Sequence, residues 1–319
     1  MRYMLFAWVG VFLFSTTLNA QTPTEVVFRV GANSQIIWFD INTPSINGSL
    51  DISTNSFFGA TGGLSAAIWD PARLRLVFTN LASGSPLPWY AIDMAGQPLV
   101  PGSSVNVTSR LSFIGNPTIG SGNISVPQGG YRPSDGGYYI LEATSDRTYL
   151  LNQNGIGNLT SSTLFGNLNG ASAPDAVTGG DLDFSSTDKL WMTGTVAGVN
   201  HLWRFGTVAG LPTELDVTTT ALYNGITFDS TRTVLYGYRA STQEYGIVNQ
   251  TSGALSVIST DPLFAGPGDL TSGVNYDSFA SVPEPGTWAM IGVTALGGTG
   301  CIWHIRRRRN KLQEMPLPI

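Results

Sequence analysis

Three aspartates close together in the chain form the clearest group of side chains that could do chemistry. Asp181, Asp183 and Asp188 lie in the stretch GGDLDFSSTD. Carboxylate oxygens at alternating positions can bind Ca²⁺, so the stretch is a weak candidate for a calcium site. It lacks the distal glutamate of an EF-hand loop, and comparable turns carry Asp135 and Asp229, which favours turn formation. We therefore predict no cofactor and no metal, and keep calcium as the exception to test.

The residues needed for catalysis are sparse. His201 is the one histidine between residues 21 and 281, and that stretch contains no Gly-x-Ser-x-Gly sequence. A serine–histidine–aspartate triad would need His201 as its base. Two carboxylates would be enough for glycoside hydrolysis, but the many acidic residues give no basis for choosing a pair. We predict a protein that is not an enzyme, and keep a polysaccharide-acting hydrolase or lyase as the alternative.

Four tryptophans could stack on sugar rings. They are Trp69, Trp89, Trp191 and Trp203. Each stands inside an apolar, strand-like run, and aromatic side chains in such runs more often fill a core. We predict that these four residues are buried.

Charge and cysteine content narrow the classes of protein. Residues 21–281 hold ten basic and nineteen acidic side chains, a net charge of −9. Such a surface repels phosphate, so nucleic acid is excluded as a partner. The one cysteine, Cys301, lies outside this region. The region therefore has no disulfide, and burial of apolar surface must stabilise it.

The N-terminus has the order of a secretory signal peptide. Arg2 precedes an apolar run at positions 4–14, and the small residue Ala20 suits a cleavage site. We predict a signal peptide at 1–20, followed by an exported body at 21–281.

The C-terminus has the pattern of a membrane-spanning helix. Residues 288–305 contain no Asp, Glu, Lys or Arg, and eighteen such residues just cross a bilayer as a helix. The basic residues that follow at once are Arg306, Arg307, Arg308 and Arg309. Because basic residues resist translocation, we predict that they stop transfer and that residues 312–319 form a cytoplasmic tail.

The residues just before this apolar span complete a recognisable pattern. They are Val282, Pro283, Glu284 and Pro285. The Pro-Glu-Pro sequence, the apolar span and the arginine cluster together resemble the PEP-CTERM sorting signal, here at residues 282–311. The resemblance implies a Gram-negative bacterial export that is recognised by exosortase, a membrane protease, and cleaved near the Pro-Glu-Pro sequence.

The resemblance also implies a place and a setting for the protein. It would sit in the inner membrane before processing, then at the cell surface or outside the cell, and the family is associated with extracellular polysaccharide. The alternative left open is a single-pass membrane protein whose tail is never cut.

The exported body contains two recurring strand patterns. The first is a pair of apolar stretches around a polar turn, at 67–78, 130–141, 181–192 and 225–236, with a half-copy at 273–277. The second is an aromatic strand, at 36–41, 89–93, 149–152, 201–205 and 245–249. Periods of 40–50 residues are typical of propeller blades.

We therefore predict an all-β, propeller-like fold, followed by the single membrane helix. The count is five blades, or six or seven if the irregular region 100–130 hides another. Residues 26–53 would complete the blade begun by 272–279, which would remove exposed sheet edges. A β-sandwich also uses short strands and turns and remains the alternative.

Overall fold

The computed structural model describes residues 22–31, 36–52, 63–80, 86–120, 128–142, 147–168, 177–207 and 211–280. The predicted signal peptide, sorting motif, membrane helix, arginine cluster and cytoplasmic tail lie outside these residues. Within the described ranges, no helix combines the length and hydropathy needed to cross a bilayer.

The described chain is built from five antiparallel blades, each based on four strands, with one short α-helix, α1 (Asp277–Ala280), and two 3₁₀ turns, Thr108–Arg110 and Pro262–Phe264. Blade 1 has its inner strand in two pieces and carries one extra parallel strand at its outer edge. Blade 1 contains β1 (Glu25–Gly31), β2 (Ile36–Asp40), β3 (Asn47–Asp51), β7 (Ser104–Asn106), β21 (Gly268–Leu270) and β22 (Val274–Asn275). Blade 2 contains β4 (Leu64–Asp70), β5 (Arg75–Asn80), β6 (Trp89–Asp93) and β8 (Leu111–Gly115). Blade 3 contains β9 (Gln128–Arg132), β10 (Gly137–Glu142), β11 (Arg147–Gln153) and β12 (Leu159–Asn167). Blade 4 contains β13 (Leu182–Phe184), β14 (Leu190–Val196), β15 (Val199–Phe205) and β16 (Thr213–Thr218). Blade 5 contains β17 (Gly225–Phe228), β18 (Leu235–Arg239), β19 (Glu244–Val248) and β20 (Leu255–Thr260).

The inner strands of the blades pack around a common axis. In order, β21 packs on β4, β4 on β9, β9 on β13, β13 on β17, and β17 returns to β21. A closed ring of five inner strands, each leading outward into a twisted antiparallel sheet, is the architecture of a five-bladed propeller. The prediction of an all-β propeller fold is confirmed.

The irregular region around residues 100–120 adds no sixth blade among the described residues. Strand β7 joins the outer edge of blade 1 in parallel with β3, and β8 is the fourth strand of blade 2. The outer strands of blades 2 and 3 also meet, at the parallel pair Leu159 and Gly115, so the two blades share one eight-stranded sheet.

The ring is closed by the last strands of the described chain. Both β21 and β22 pair antiparallel with β1. Between them, the Thr271 N–H donates to the Phe28 carbonyl oxygen at 2.9 Å, and the Phe28 N–H donates to Thr271 Oγ1 at 3.0 Å. The predicted closure is confirmed, although the inner strand starts at Gly268 and not near residue 272.

The first hairpin of each of blades 2, 3 and 5 turns on an aspartate. Asp70 Oδ1 accepts from the N–H groups of Ala72 and Arg73, and Asp135 Oδ1 accepts from that of Gly137. Asp229 Oδ1 accepts from Thr233 and Val234. These side chains satisfy turn donors that the strands leave unpaired, which is why the sequence repeats aspartate there.

Burial of apolar side chains between neighbouring blades holds the ring together. The described residues contain five hydrophobic clusters, and each lies at one blade–blade interface. Inner and middle strands thus bury both faces, and middle strands such as β2 and β6 read as apolar runs. The outer strands β16 and β20 bury only part of one face, and their sequences mix polar and apolar residues.

Candidate functional site

The ring axis is where two of the three clustered aspartates lie. Asp181 precedes β13 and is fully buried, and Asp183, within β13, is 1% exposed. Asp181 accepts hydrogen bonds from the N–H groups of Leu182, Ile226 and Leu270, at 2.8 to 3.0 Å. The last two belong to the inner strands of blades 5 and 1. Asp181 therefore ties three blades together with one carboxylate.

Asp183, two residues further along the chain, also joins three blades. Its Oδ2 accepts from the Phe228 N–H at 2.9 Å, and its Oδ1 accepts from Ser272 Oγ at 2.8 Å and from Arg232 Nη1 at 3.2 Å. The partners again come from blades 5 and 1. Buried carboxylates are stabilised when hydrogen-bond donors surround them, and inner strands of different blades have no ladder to satisfy these N–H groups.

A third axial aspartate was not singled out by sequence analysis. Asp269, in β21, is 2% exposed, and its Oδ2 accepts from the Ala67 N–H in blade 2 at 2.5 Å. The Gly129 N–H in blade 3 also donates to this side chain. Asp269 lies next to Asp181 at the axis, because the N–H of Leu270, one residue after Asp269, donates to Asp181 Oδ2 at 2.9 Å, and the two carboxyl groups interact electrostatically. Between them, the two side chains reach inner strands of all five blades.

Burial raises the pKa of the Asp181 and Asp269 carboxyl groups. Desolvation is the largest cause for Asp181, and backbone N–H donors oppose it. For Asp269 desolvation is again the largest cause, and the neighbouring Asp181 raises its pKa further. Two adjacent carboxyl groups away from water cannot both ionise at low cost.

The third predicted calcium ligand has different partners. Asp188 lies in the turn after β13, where it forms an ion pair with Arg132 and accepts from Ser134 Oγ at 2.9 Å. The hydrogen bond from Arg132 lowers the pKa of Asp188 against the opposing effect of its partial burial. Across the described ranges, no cluster of three or more histidine, cysteine, aspartate or glutamate side chains has the geometry to hold a metal ion.

The four tryptophans are buried, as predicted, at 8% exposure or less. His201 stacks on Trp203 with ring centroids 4.8 Å apart, and its Nδ1 lies 2.7 Å from Asp216 Oδ1. His201 lies on β15 and Asp216 on β16, away from the inner strands, and His201 is half-buried.

An open cleft lies at the turn end of blades 2 and 3. It has a volume of about 450 Å³. The chain segments that line it are the β4–β5 turn, the β9–β10 turn and the end of β11 with the turn that follows. The polar side chains in the lining are Arg73, Tyr131, Asp135, Asn152, Gln153 and Asn154. Acceptors, amide groups, a guanidinium and a phenol thus face one space.

A rigid network supports the wall of this cleft. Asp70 is fully buried and accepts from Tyr138 Oη at 2.5 Å and from Arg73 Nη1 at 3.0 Å. Arg75 Nη2 donates to Tyr138 Oη at 2.8 Å and to the Gly157 carbonyl oxygen at 2.7 Å. Burial, and then the charge of Asp70, raises the pKa of the Tyr138 hydroxyl, so it stays a donor. Because Asp70 is buried and bonded to Tyr138, it holds the Arg73 guanidinium in place at the cleft.

The lining of the cleft could not be assembled from the sequence. Its residues come from three turns separated by up to 82 positions, from 72 to 154, and each turn has the composition of an ordinary polar turn. The available signal is the pair of turn sequences Asp70–Arg75 and Arg132–Gly137, which sequence analysis placed correctly in adjacent repeats. What joins them is the packing of β4 on β9.

No protein-family model and no curated protein sequence matches this chain. Among solved structures, the chain is similar at 12% identity to a nidogen–laminin complex, over 70% of this chain and 74% of that one, with a TM-score of 0.45. A luciferin-regenerating enzyme is similar at 12% identity over 78% and 73%, with a TM-score of 0.45. A gluconolactonase from Xanthomonas campestris is similar at 11% identity over 72% and 68%, with a TM-score of 0.39.

Proposed function

We propose that this chain is an exported bacterial surface or matrix protein, whose propeller is a non-catalytic binding domain for a polar ligand. The ligand class that we favour is extracellular polysaccharide. The C-terminal segment would be a PEP-CTERM sorting signal, recognised and cut by exosortase. The protein would be held in the inner membrane until that cut.

One observation carries the binding proposal. The axial carboxylates are buried and bonded to backbone N–H groups, whereas the cleft between blades 2 and 3 is open and polar. A ligand can therefore reach the cleft, whereas the axial carboxyl groups are inaccessible and join the blades to one another. The mixture of amide, carboxylate and guanidinium groups suits a ligand with many hydroxyl groups, which can donate and accept at once.

The sorting proposal is supported by the sequence alone. The sorting motif, the apolar span and the arginine cluster stand in one order at residues 282–309, beyond the described body. The ring is already closed by β22, and α1 is the last element that the structure describes. A cut near Pro283–Pro285 would release a complete propeller.

Binding can be tested with oligosaccharide arrays and then by calorimetry on a glycan that binds. Gln153→Ala removes an amide from the cleft rim, and we expect it to weaken binding several-fold, about 1 kcal/mol for one lost hydrogen bond. The matched control is Gln250→Ala. Gln250 donates to the Thr233 carbonyl oxygen in blade 5, as Gln153 does to the Gly136 carbonyl oxygen in blade 3.

The control should leave binding unchanged. Equal losses in both variants, or no glycan bound by the wild-type protein, would overturn the assignment of the cleft.

Sorting can be tested by intact-mass measurement of the protein from cells with and without exosortase. We expect a product that ends near residues 283–285 in the first case and an uncut C-terminus in the second. The same mass in both strains would contradict sorting, and would favour a permanently anchored protein.

The alternative of a polysaccharide-acting enzyme is favoured by one observation, the convergence of Asp181 and Asp269. Their burial argues against it, because a substrate cannot reach them without opening the ring. We expect no release of reducing ends from a polysaccharide that binds; release that is lost in Asp269→Asn would support the enzyme.

A further inference from the structure

Asp181 and Asp269 are both buried at the axis, but they accept different numbers of hydrogen bonds. Asp181 receives three backbone N–H groups, spread over both of its oxygens. Asp269 receives its N–H donors from Ala67 and Gly129. Its other oxygen, Oδ1, is buried and accepts no N–H or O–H donor in the described structure.

A buried acceptor without a donor is costly, and so is a second negative charge beside Asp181. A proton on Asp269 Oδ1 removes both costs. It converts this oxygen into a donor, and the acceptor beside it is the ionised Asp181. The many N–H donors around Asp181 stabilise its charge, so the proton belongs on Asp269.

We propose that Asp181 and Asp269 form a proton-binding site that closes the ring axis, with Asp269 protonated and donating to the Asp181 carboxylate. The ligand of this site is one proton. The site links the inner strands of blades 1 and 4, and the N–H groups on its two carboxyls reach the other three blades.

Within the described part of the chain, no basic side chain forms an ion pair with either carboxyl group. Tyr238, in blade 5, interacts electrostatically with both carboxyl groups. Burial raises the pKa of its hydroxyl, so this hydroxyl stays neutral. Arg29 in β1 donates to Tyr238 Oη at 3.3 Å and to the carbonyl oxygens of Leu263 and Ala265. Asp183 is next along β13 and has Arg232 as its own partner. The inner strands β4 and β9 face the pair with N–H groups of Ala67 and Gly129.

The retained proton makes stability depend on pH in a definite direction. Above about pH 4 the unfolded chain has both aspartates ionised, whereas the folded ring keeps one proton because burial raises the pKa of the pair. The folded state then holds more protons than the unfolded state. The unfolding equilibrium constant rises about tenfold per pH unit for that proton, until the folded pair also loses it. The site therefore stabilises the ring in mild acid and less at higher pH.

Two matched variants of the full-length protein test the proposal, by denaturant unfolding between pH 4.5 and 8. Asp269→Asn replaces a protonated carboxyl by an amide that still donates to Asp181. We expect this variant to fold. Its unfolding equilibrium constant should lack the rise of about tenfold per pH unit that the bound proton gives the wild-type protein. Asp181→Asn removes the anion that three N–H groups share, and we expect an unfolding constant raised about 100-fold or more at pH 5.

Asp93→Asn is the control for loss of an ordinary carboxylate, since Asp93 is exposed and its carboxylate accepts from the Ala95 N–H. It should follow the wild-type pH profile. The proposal is overturned if Asp269→Asn keeps the wild-type pH dependence, or if it destabilises the protein as much as Asp181→Asn. It is also overturned if EDTA lowers the stability of the wild-type protein, because a bound cation would then hold the pair.

Discussion

Single side chains in this protein act by joining blades. Asp70 illustrates this, since its carboxylate forms the β4–β5 turn with one oxygen and reaches Tyr138 of the next blade with the other. The same residue type at Asp181 and Asp269 satisfies N–H groups across the axis. In each case a buried carboxyl group is matched by donors from another blade, so removing one partner leaves an uncompensated group.

Tyr138→Phe tests this at the cleft wall. The variant keeps the ring and removes the hydroxyl between Asp70 and Arg75, so we expect the free energy of unfolding to fall by about 1–3 kcal/mol. Tyr236→Phe is the control, because Tyr236 Oη bonds to Asn42 in a partly exposed place. Chemical denaturation measures both; equal losses would show that the buried network is not special.

At the scale of elements, one glycine lets two chain segments approach closely. Gly180 has φ of +87°, and a Cβ there would overlap the Thr193 carbonyl oxygen in β14. This close approach of the chain to β14 places the next residue, Asp181, at the axis. Gly198, in the β14–β15 turn, has a similar φ of +82° but open space around it.

We expect Gly180→Ala to lower the free energy of unfolding by more than about 2 kcal/mol, since it adds overlap to an unfavourable φ. Gly198→Ala should cost about 1 kcal/mol, from φ alone. Thermal or denaturant unfolding of the two variants separates the cost of the steric overlap from the cost of the positive φ. Similar values for both variants would contradict the close approach at Gly180.

Elements differ in how well the sequence predicts them. The second and third strands of the blades were placed correctly, because burial on both faces gives them apolar runs such as Ile36–Asp40 and Trp89–Asp93. Outer strands such as β16 and β20 escaped prediction, since one face is exposed and their residues follow no strict alternation. The axis and the cleft could not be predicted, because contacts such as Asp181 with Leu270 join residues 89 positions apart.

At the scale of the whole molecule, the ring is closed by β21 and β22, which both pair with β1. Five interfaces of similar apolar character follow one another around the axis, and the last needs residues 268–280 to form. Removing residues 268–280 leaves the edge of β1 without its partner strands. It also takes Leu270 and Phe279 out of the core and exposes the buried side chains that Phe279 packs on, Phe28 and Trp69.

A truncation therefore gives a prediction at this scale. Ending the chain after residue 267 should abolish a single sharp thermal transition and make the protein sensitive to limited proteolysis, because an open ring exposes edges and core. Ending it after residue 281 should retain both properties. A cooperative transition in the shorter chain would show that the ring does not depend on closure.

The measurement that tests the account most directly is hydrogen exchange of the axial amides by NMR. The N–H groups of Ala67, Ile226, Phe228 and Leu270 all donate to buried carboxylates. We expect them to be among the slowest in the protein and to exchange with one common free energy, that of global unfolding. Fast and independent exchange at these four amides would show a wet, open axis, and would contradict both the sealed ring and the placement of ligand binding in the cleft.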